Sequence, residues 1–103
     1  MTIMVISTYP PKKGPEVGKI FVQNLGKKLP PFLKRIEVYN TGCDEGIRVY
    51  AIYEIQDDKV ADGIREITAR MVPFHEVEGY RWRSEILLKA TESLAMIGLA
   101  PPK

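Results

Sequence analysis

Few side chains in this sequence have types and spacings that could do chemistry. The single histidine, His75, follows Pro73-Phe74. An imidazole there offers a general base near neutral pH or an axial ligand for haem iron. No second imidazole accompanies it, so local sequence assembles neither a His-x-x-x-His metal pair nor a serine–histidine–carboxylate triad. Among the carboxylates, Glu54 is the best general-base candidate, because its run places it beside Tyr50 and Ile52, where desolvation favours proton uptake. Glu54 and His75 are therefore the expected catalytic residues if the protein turns over a substrate.

The single cysteine, Cys43, excludes an intrachain disulfide and the paired-cysteine motifs of zinc, iron–sulfur and redox sites. It lies between Gly42 and Asp44 in a turn-forming stretch, where neighbouring carboxylates disfavour the thiolate, so an unreactive loop thiol is expected. Gly42-Cys43-Asp44-Glu45-Gly46 matches no nucleotide-binding loop, and its two acids would repel phosphate. No metal and no cofactor is expected.

Other residues have the chemistry of recognition. Tyr39, Tyr50 and Trp82 can form an aromatic pocket that stacks a planar ligand, and Arg48, Arg81 and Arg83, together with Arg35, can hold an anion bidentately. The same side chains have a structural reading, in which the tyrosines pack in a core or interface and the arginines pair across strands with Glu37, Glu54 and Glu85. Trp82 falls in the opposite phase from Arg81 and Arg83.

Composition limits what these residues can serve. A chain of 103 residues with 45% hydrophobic residues suffices for one core, expected to span 1–103 as a single domain. Fifteen basic against 13 acidic side chains leave a net charge of +2, too small and too dispersed for the basic face of a typical nucleic-acid binder. Met1 to Tyr9 lacks the charged start and cleavage site of a signal peptide, and no apolar run approaches the ~20 residues needed to span a bilayer. A cytoplasmic protein without membrane contact is expected.

The elements that must position these residues follow from pattern. Ile3 to Tyr9 is rich in β-branched residues and stops at Pro10-Pro11, which reads as a strand. Pro15 suits a helix start, and Val17, Ile20, Phe21, Asn24, Leu25 and Lys28 recur at helical spacing up to Pro30-Pro31. Within it, Gly18 is read as a point of close approach to a neighbour. Leu33 to Asn40 alternates, with Ile36 and Val38 on one face and Arg35, Glu37 and Tyr39 on the other. Ile47 to Ile55 alternates again, with Tyr50 and Ile52 beside Arg48 and Glu54, so the two runs predict a hairpin with a long loop over 40–46. Asp57 or Asp58 is the expected cap of a second helix with the stripe Val60, Ile64, Ile67 and Met71, ended by Pro73. For Glu78 to Leu88 two readings compete, a strand continuing Tyr80-Arg81-Trp82-Arg83 in period two or a helix capped by Ser84. The strand is preferred, followed by a short helix capped by Thr91 and stopped by Gly98 before Pro101-Pro102.

This βαββαβ order predicts an α+β fold, an antiparallel four-stranded sheet with two helices on one face and a short C-terminal helix. In element order, and in the opening strand Ile3-Met4-Val5-Ile6-Ser7, the chain resembles the ferredoxin-like proteins and, within them, the dimeric α/β barrel group. The resemblance implies a homodimer or higher homo-oligomer in which two sheets face each other around a pocket. It names no reaction, since the group includes monooxygenases, isomerases, haem-degrading enzymes and ligand-sensing domains. The function expected first is a homo-oligomeric ligand-binding or interaction module taking a small planar or anionic ligand on its open sheet face. A small cofactor-independent monooxygenase or isomerase is the alternative. An RNA-binding domain shares the element order, but Glu45-Gly46-Ile47-Arg48-Val49-Tyr50 has an acid where that family has a base, so nucleic acid is not the expected partner.

Overall fold

The computed structural model describes residues 1–100. Its strands are β1 (Thr2–Tyr9), β2 (Leu33–Cys43), β3 (Gly46–Ile55) and β4 (Arg81–Leu87), and its helices α1 (Gly14–Leu25), α2 (Val60–Met71) and α3 (Ala90–Met96). The strands form one antiparallel sheet in the order β2-β3-β1-β4, compatible with a ferredoxin-like fold. The alternative helix begun by Ser84 does not form, because Ser84 pairs with Val5 inside β4.

Alternation in β1 divides the sheet. Ile3, Val5 and Ser7 are buried toward α1 and α2, and the core gathers around them from Val17, Leu33, Tyr53, Ile55, Ile67, Met71, Phe74 and Val77. On β4, Trp82 packs against this core, in the phase expected of it. α2 buries Gly63, Ile67, Arg70 and Met71. Gly63 is where the helix meets the sheet, since a Cβ there would lie 2.5 Å from the Cδ1 of Ile55.

Several local expectations are corrected. The β2–β3 loop is Asp44-Glu45 alone, because Cys43 pairs with Gly46, so Cys43 ends a strand and is partly buried. Gly46 makes the short loop possible, with φ of +123° and the Tyr9 carbonyl 2.5 Å from where a Cβ would stand. β2 carries a bulge between Arg35 and Glu37, so Ile36 turns outward at 47% exposure and Arg35 turns toward the helices beside Tyr53. Neither Asp57 nor Asp58 caps α2; both lie in a 3-10 turn, where Asp57 accepts a hydrogen bond from the N-terminal ammonium at 2.9 Å. α1 ends at Leu25 with Gly26 as its C-cap, short of Pro30-Pro31, and beyond Met71 the chain passes through Pro73 as a 3-10 segment, Val72–Glu76. Gly18 makes no close approach, as a Cβ there would meet nothing within 4 Å.

Thr91 lies inside α3, which has no side-chain cap. Its C-terminus closes by a Schellman pair, Gly98 N–H to the Ala95 carbonyl at 3.1 Å and Leu99 N–H to the Leu94 carbonyl at 2.9 Å. Pro101-Pro102 lies outside the described residues. α3 buries none of its residues and leaves Met96, Ile97 and Leu99 more than half exposed.

Between the helices sits a charge that the hydrophobic pattern does not anticipate. The buried Arg70 guanidinium donates to the carbonyls of Asn24, Lys27 and Lys28 at 3.0–3.1 Å and to Glu66 at 3.0 Å. Asn24 returns a bond from its amide to the Arg70 carbonyl at 2.9 Å. Arg70→Met keeps the apolar stem and strands the Lys27 and Lys28 carbonyls and the Glu66 carboxylate, while the Asn24 carbonyl keeps the Lys27 N–H at 3.1 Å, so it is expected to lower the unfolding free energy by about 3 kcal/mol in urea titration. Arg70→Lys should recover only part of this, since one ammonium cannot span the same acceptors. A change below about 1 kcal/mol for Arg70→Met would show that water satisfies those carbonyls equally well.

Candidate functional site

Strand register arranges the open face of the sheet in four cross-strand rows. The first is Thr41, Arg48, Thr8 and Arg81, and the second Tyr39, Tyr50, Ile6 and Arg83. The third is Glu37, Ile52, Met4 and Glu85, and the fourth Lys34, Glu54, Thr2 and Leu87. Tyr39, Tyr50, Arg48, Arg81, Arg83 and Glu54 thus share one surface, basic at one end, apolar in the middle and acidic toward the other end.

At the basic end, Arg48, Arg81 and Arg83 surround a hollow of about 250 Å³ floored by Ile6 and Thr8. Glu45 approaches Arg48 at 3.3 Å, and Glu85 approaches Arg83 at 2.9 Å. The Glu45 carboxyl is held below its ordinary range by its own backbone N–H first, with the Cys43 thiol and Arg48 adding to the effect. Arg81 has no carboxylate within 4.0 Å among the described residues. Tyr39 is 57% exposed directly opposite Tyr50, whose hydroxyl accepts from Arg48 at 3.4 Å. Glu54 is already engaged, by the Thr2 hydroxyl and by the N-terminal ammonium at 3.6 Å.

His75 stands apart from this surface. It lies on the helix side, exposed, with its ring stacked at 16° to Trp82 and its Nε2 accepting the Trp82 indole N–H at 3.0 Å. Indole nitrogen only donates, so this bond uses the Nε2 lone pair and leaves the ring proton on Nδ1. The structure therefore does not bring His75 and Glu54 together. Among the described residues, no three His, Cys, Asp or Glu side chains gather as a metal site, and no helix is long and apolar enough to cross a membrane.

A larger cavity, about 460 Å³, opens on the helix side between α1 and β2. Its walls are Val17, Gly18, Phe21 and Leu25 of α1 and Arg35 to Val38 of β2, with Phe74 and Tyr80 at its base. Tyr80 stacks between Phe74, 4.7 Å away, and Tyr9, 6.1 Å away. The sequence pattern missed this cavity because regular alternation sends Arg35 to the opposite face. The signal was nonetheless there: Leu33 and Val38, both apolar, are an odd number of positions apart, and only an extra residue between them puts both on one face.

No family model matches the chain, and no curated protein matches it. Among solved structures it is similar to the aminopeptidase PepT of Bacillus cereus, at 8% identity and a TM-score of 0.46, over 98% of this chain. The chain spans 36% of that structure's length.

Burial pushes the Tyr80 hydroxyl up to about 12 from an ordinary 10.0, with Tyr9 and Tyr53 adding to the rise and a hydrogen bond with Ser7 opposing it. The unfolded chain releases this proton first, so the stability held by neutral Tyr80 is intact below pH 10 and is lost as pH rises from 10 toward 12. Across that window the unfolding free energy is expected to fall by about 2 kcal/mol more in the wild type than in Tyr80→Phe. Equal slopes in the two proteins would place Tyr80 in contact with water.

Proposed function

We propose that the protein is a noncatalytic homodimeric module of the dimeric α/β barrel kind, joined through its open sheet faces, with the arginine hollow receiving a small anionic ligand. The observation that carries this reading is the order of the four rows. A two-fold axis lying between the faces and running across the strands sets the apolar row of each copy, Tyr50 with Ile6, against Ile52 with Met4 of the other. The same operation brings Arg83 of one copy over Glu85 of the other, and Arg48 over Glu54. An axis along the strands would instead set like charges against each other.

Arg81 faces Leu87 in this arrangement and keeps its charge for a ligand. The absence of catalysis is supported by the separation of Glu54 from His75 and by the contacts that already occupy both. The acids Glu37, Glu54 and Glu85 on the same face weigh against a polyphosphate partner.

Sedimentation equilibrium tests the pairing. Wild type is expected to be a dimer, and Glu54→Arg or Arg48→Glu alone to raise the dissociation constant by about tenfold or more. The double reversal should recover most of that loss, because the pair is restored with its signs exchanged. A monomeric wild type, or a double variant no tighter than the singles, overturns the proposal.

A further inference from the structure

The helix-side cavity carries a second inference, independent of the dimer. We propose that the space between α1 and β2 binds a small monocarboxylate with an apolar body, whose carboxylate pairs with Arg35. At about 460 Å³ the cavity is within the usual range for small-molecule sites, ~300–1,000 Å³. Its wall is largely apolar, from Phe21, Leu25, Val38 and Phe74.

Into this apolar wall the β2 bulge turns one half-buried cation. Among the described residues Arg35 has no carboxylate within 4.0 Å, and its contacts are a long bond from Nε to the Tyr53 hydroxyl at 3.5 Å and the Tyr53 ring face at 5.6 Å. A guanidinium removed from much of its water and given only a neutral partner favours an anion that can accept its planar fork of donors. The Glu37 carboxylate belongs to the open face, where its Oε1 takes the Val38 N–H at 3.0 Å. Arg35 is the one cation among the described residues of the cavity wall, so a second negative charge on the ligand would go unpaired, which selects a monoanion over a phosphate or dicarboxylate. Gly18 leaves the α1 side of the cavity open, since a Cβ there would meet nothing within 4 Å.

Octanoate and its uncharged analogue 1-octanol are the probes, titrated into the full chain and followed by calorimetry and by amide chemical shifts. Octanoate is expected to bind saturably and about tenfold tighter than 1-octanol, with shifts confined to α1, the β2 bulge and Tyr80. Arg35→Met should bring the two affinities together. Gly18→Leu fills the cavity from a helical position where leucine is the better helix former, so it should abolish binding of both probes while raising Tm. Absence of saturable binding, equal affinity for the two probes in wild type, unaltered octanoate affinity in a folded Gly18→Leu, or shifts centred on Arg48, Arg81 and Arg83 would each overturn the proposal.

Discussion

The bonds from the Arg70 guanidinium to the carbonyls of Asn24, Lys27 and Lys28 tie the chain that leaves α1 to the second helix. Arg70 is part of α2, yet three of its acceptors belong to Asn24, Lys27 and Lys28. The helix end itself closes locally, with Gly26 N–H on the Val22 carbonyl and Lys27 N–H on that of Asn24, and Arg70 satisfies the carbonyls of the segment that leaves it. The contact settles the path of the chain into β2 and holds the C-terminal end of α1 against α2. Farther up α1, Gly18 has no side chain and Phe21 is only half-buried, so the helix spans the sheet without filling the space beneath it. The cavity is thus a product of where α1 is pinned and of what it lacks in its middle.

The two faces of the sheet are organised by different physics. Toward the helices, burial dominates, and polar groups enter only with partners: Arg70 with its carbonyls, and the Trp82 indole with His75. On the open face, charge is graded from one end of the strands to the other around a middle of Met4, Ile6, Tyr50 and Ile52. A gradient of this kind favours one relative orientation of two copies, which an evenly mixed surface would not do.

Much of the architecture was legible in the sequence because strand and helix periods report which side of an element is buried. The element order, the opposite phases of Trp82 and its flanking arginines, and the shared face of Tyr50, Ile52, Arg48 and Glu54 were all read from alternation. Alternation failed in β2, where one extra residue at Ile36 reversed the phase of Arg35. Arg70 escaped notice because a charge on a helix reads as solvated until the carbonyls that surround it are known, and those come from more than forty residues away. The bond between His75 and Trp82 was likewise invisible, since no periodic pattern links a 3-10 segment to the strand that follows it. Asn40 to Gly46 is rich in turn formers and so reads as a long loop, yet most of these residues pair in the ladder.

The bulge at Ile36 has a further effect on how the molecule meets its neighbours. β2 is an edge strand of 11 residues, long enough to template another strand along its free side. At Ile36 that side is kinked, and at the next position but one the Glu37 carboxylate has taken the Val38 N–H. A foreign strand laid along β2 loses its register there and finds no free donor at Val38. The irregularity that turns Arg35 inward therefore also guards this edge of the sheet against pairing with a foreign strand.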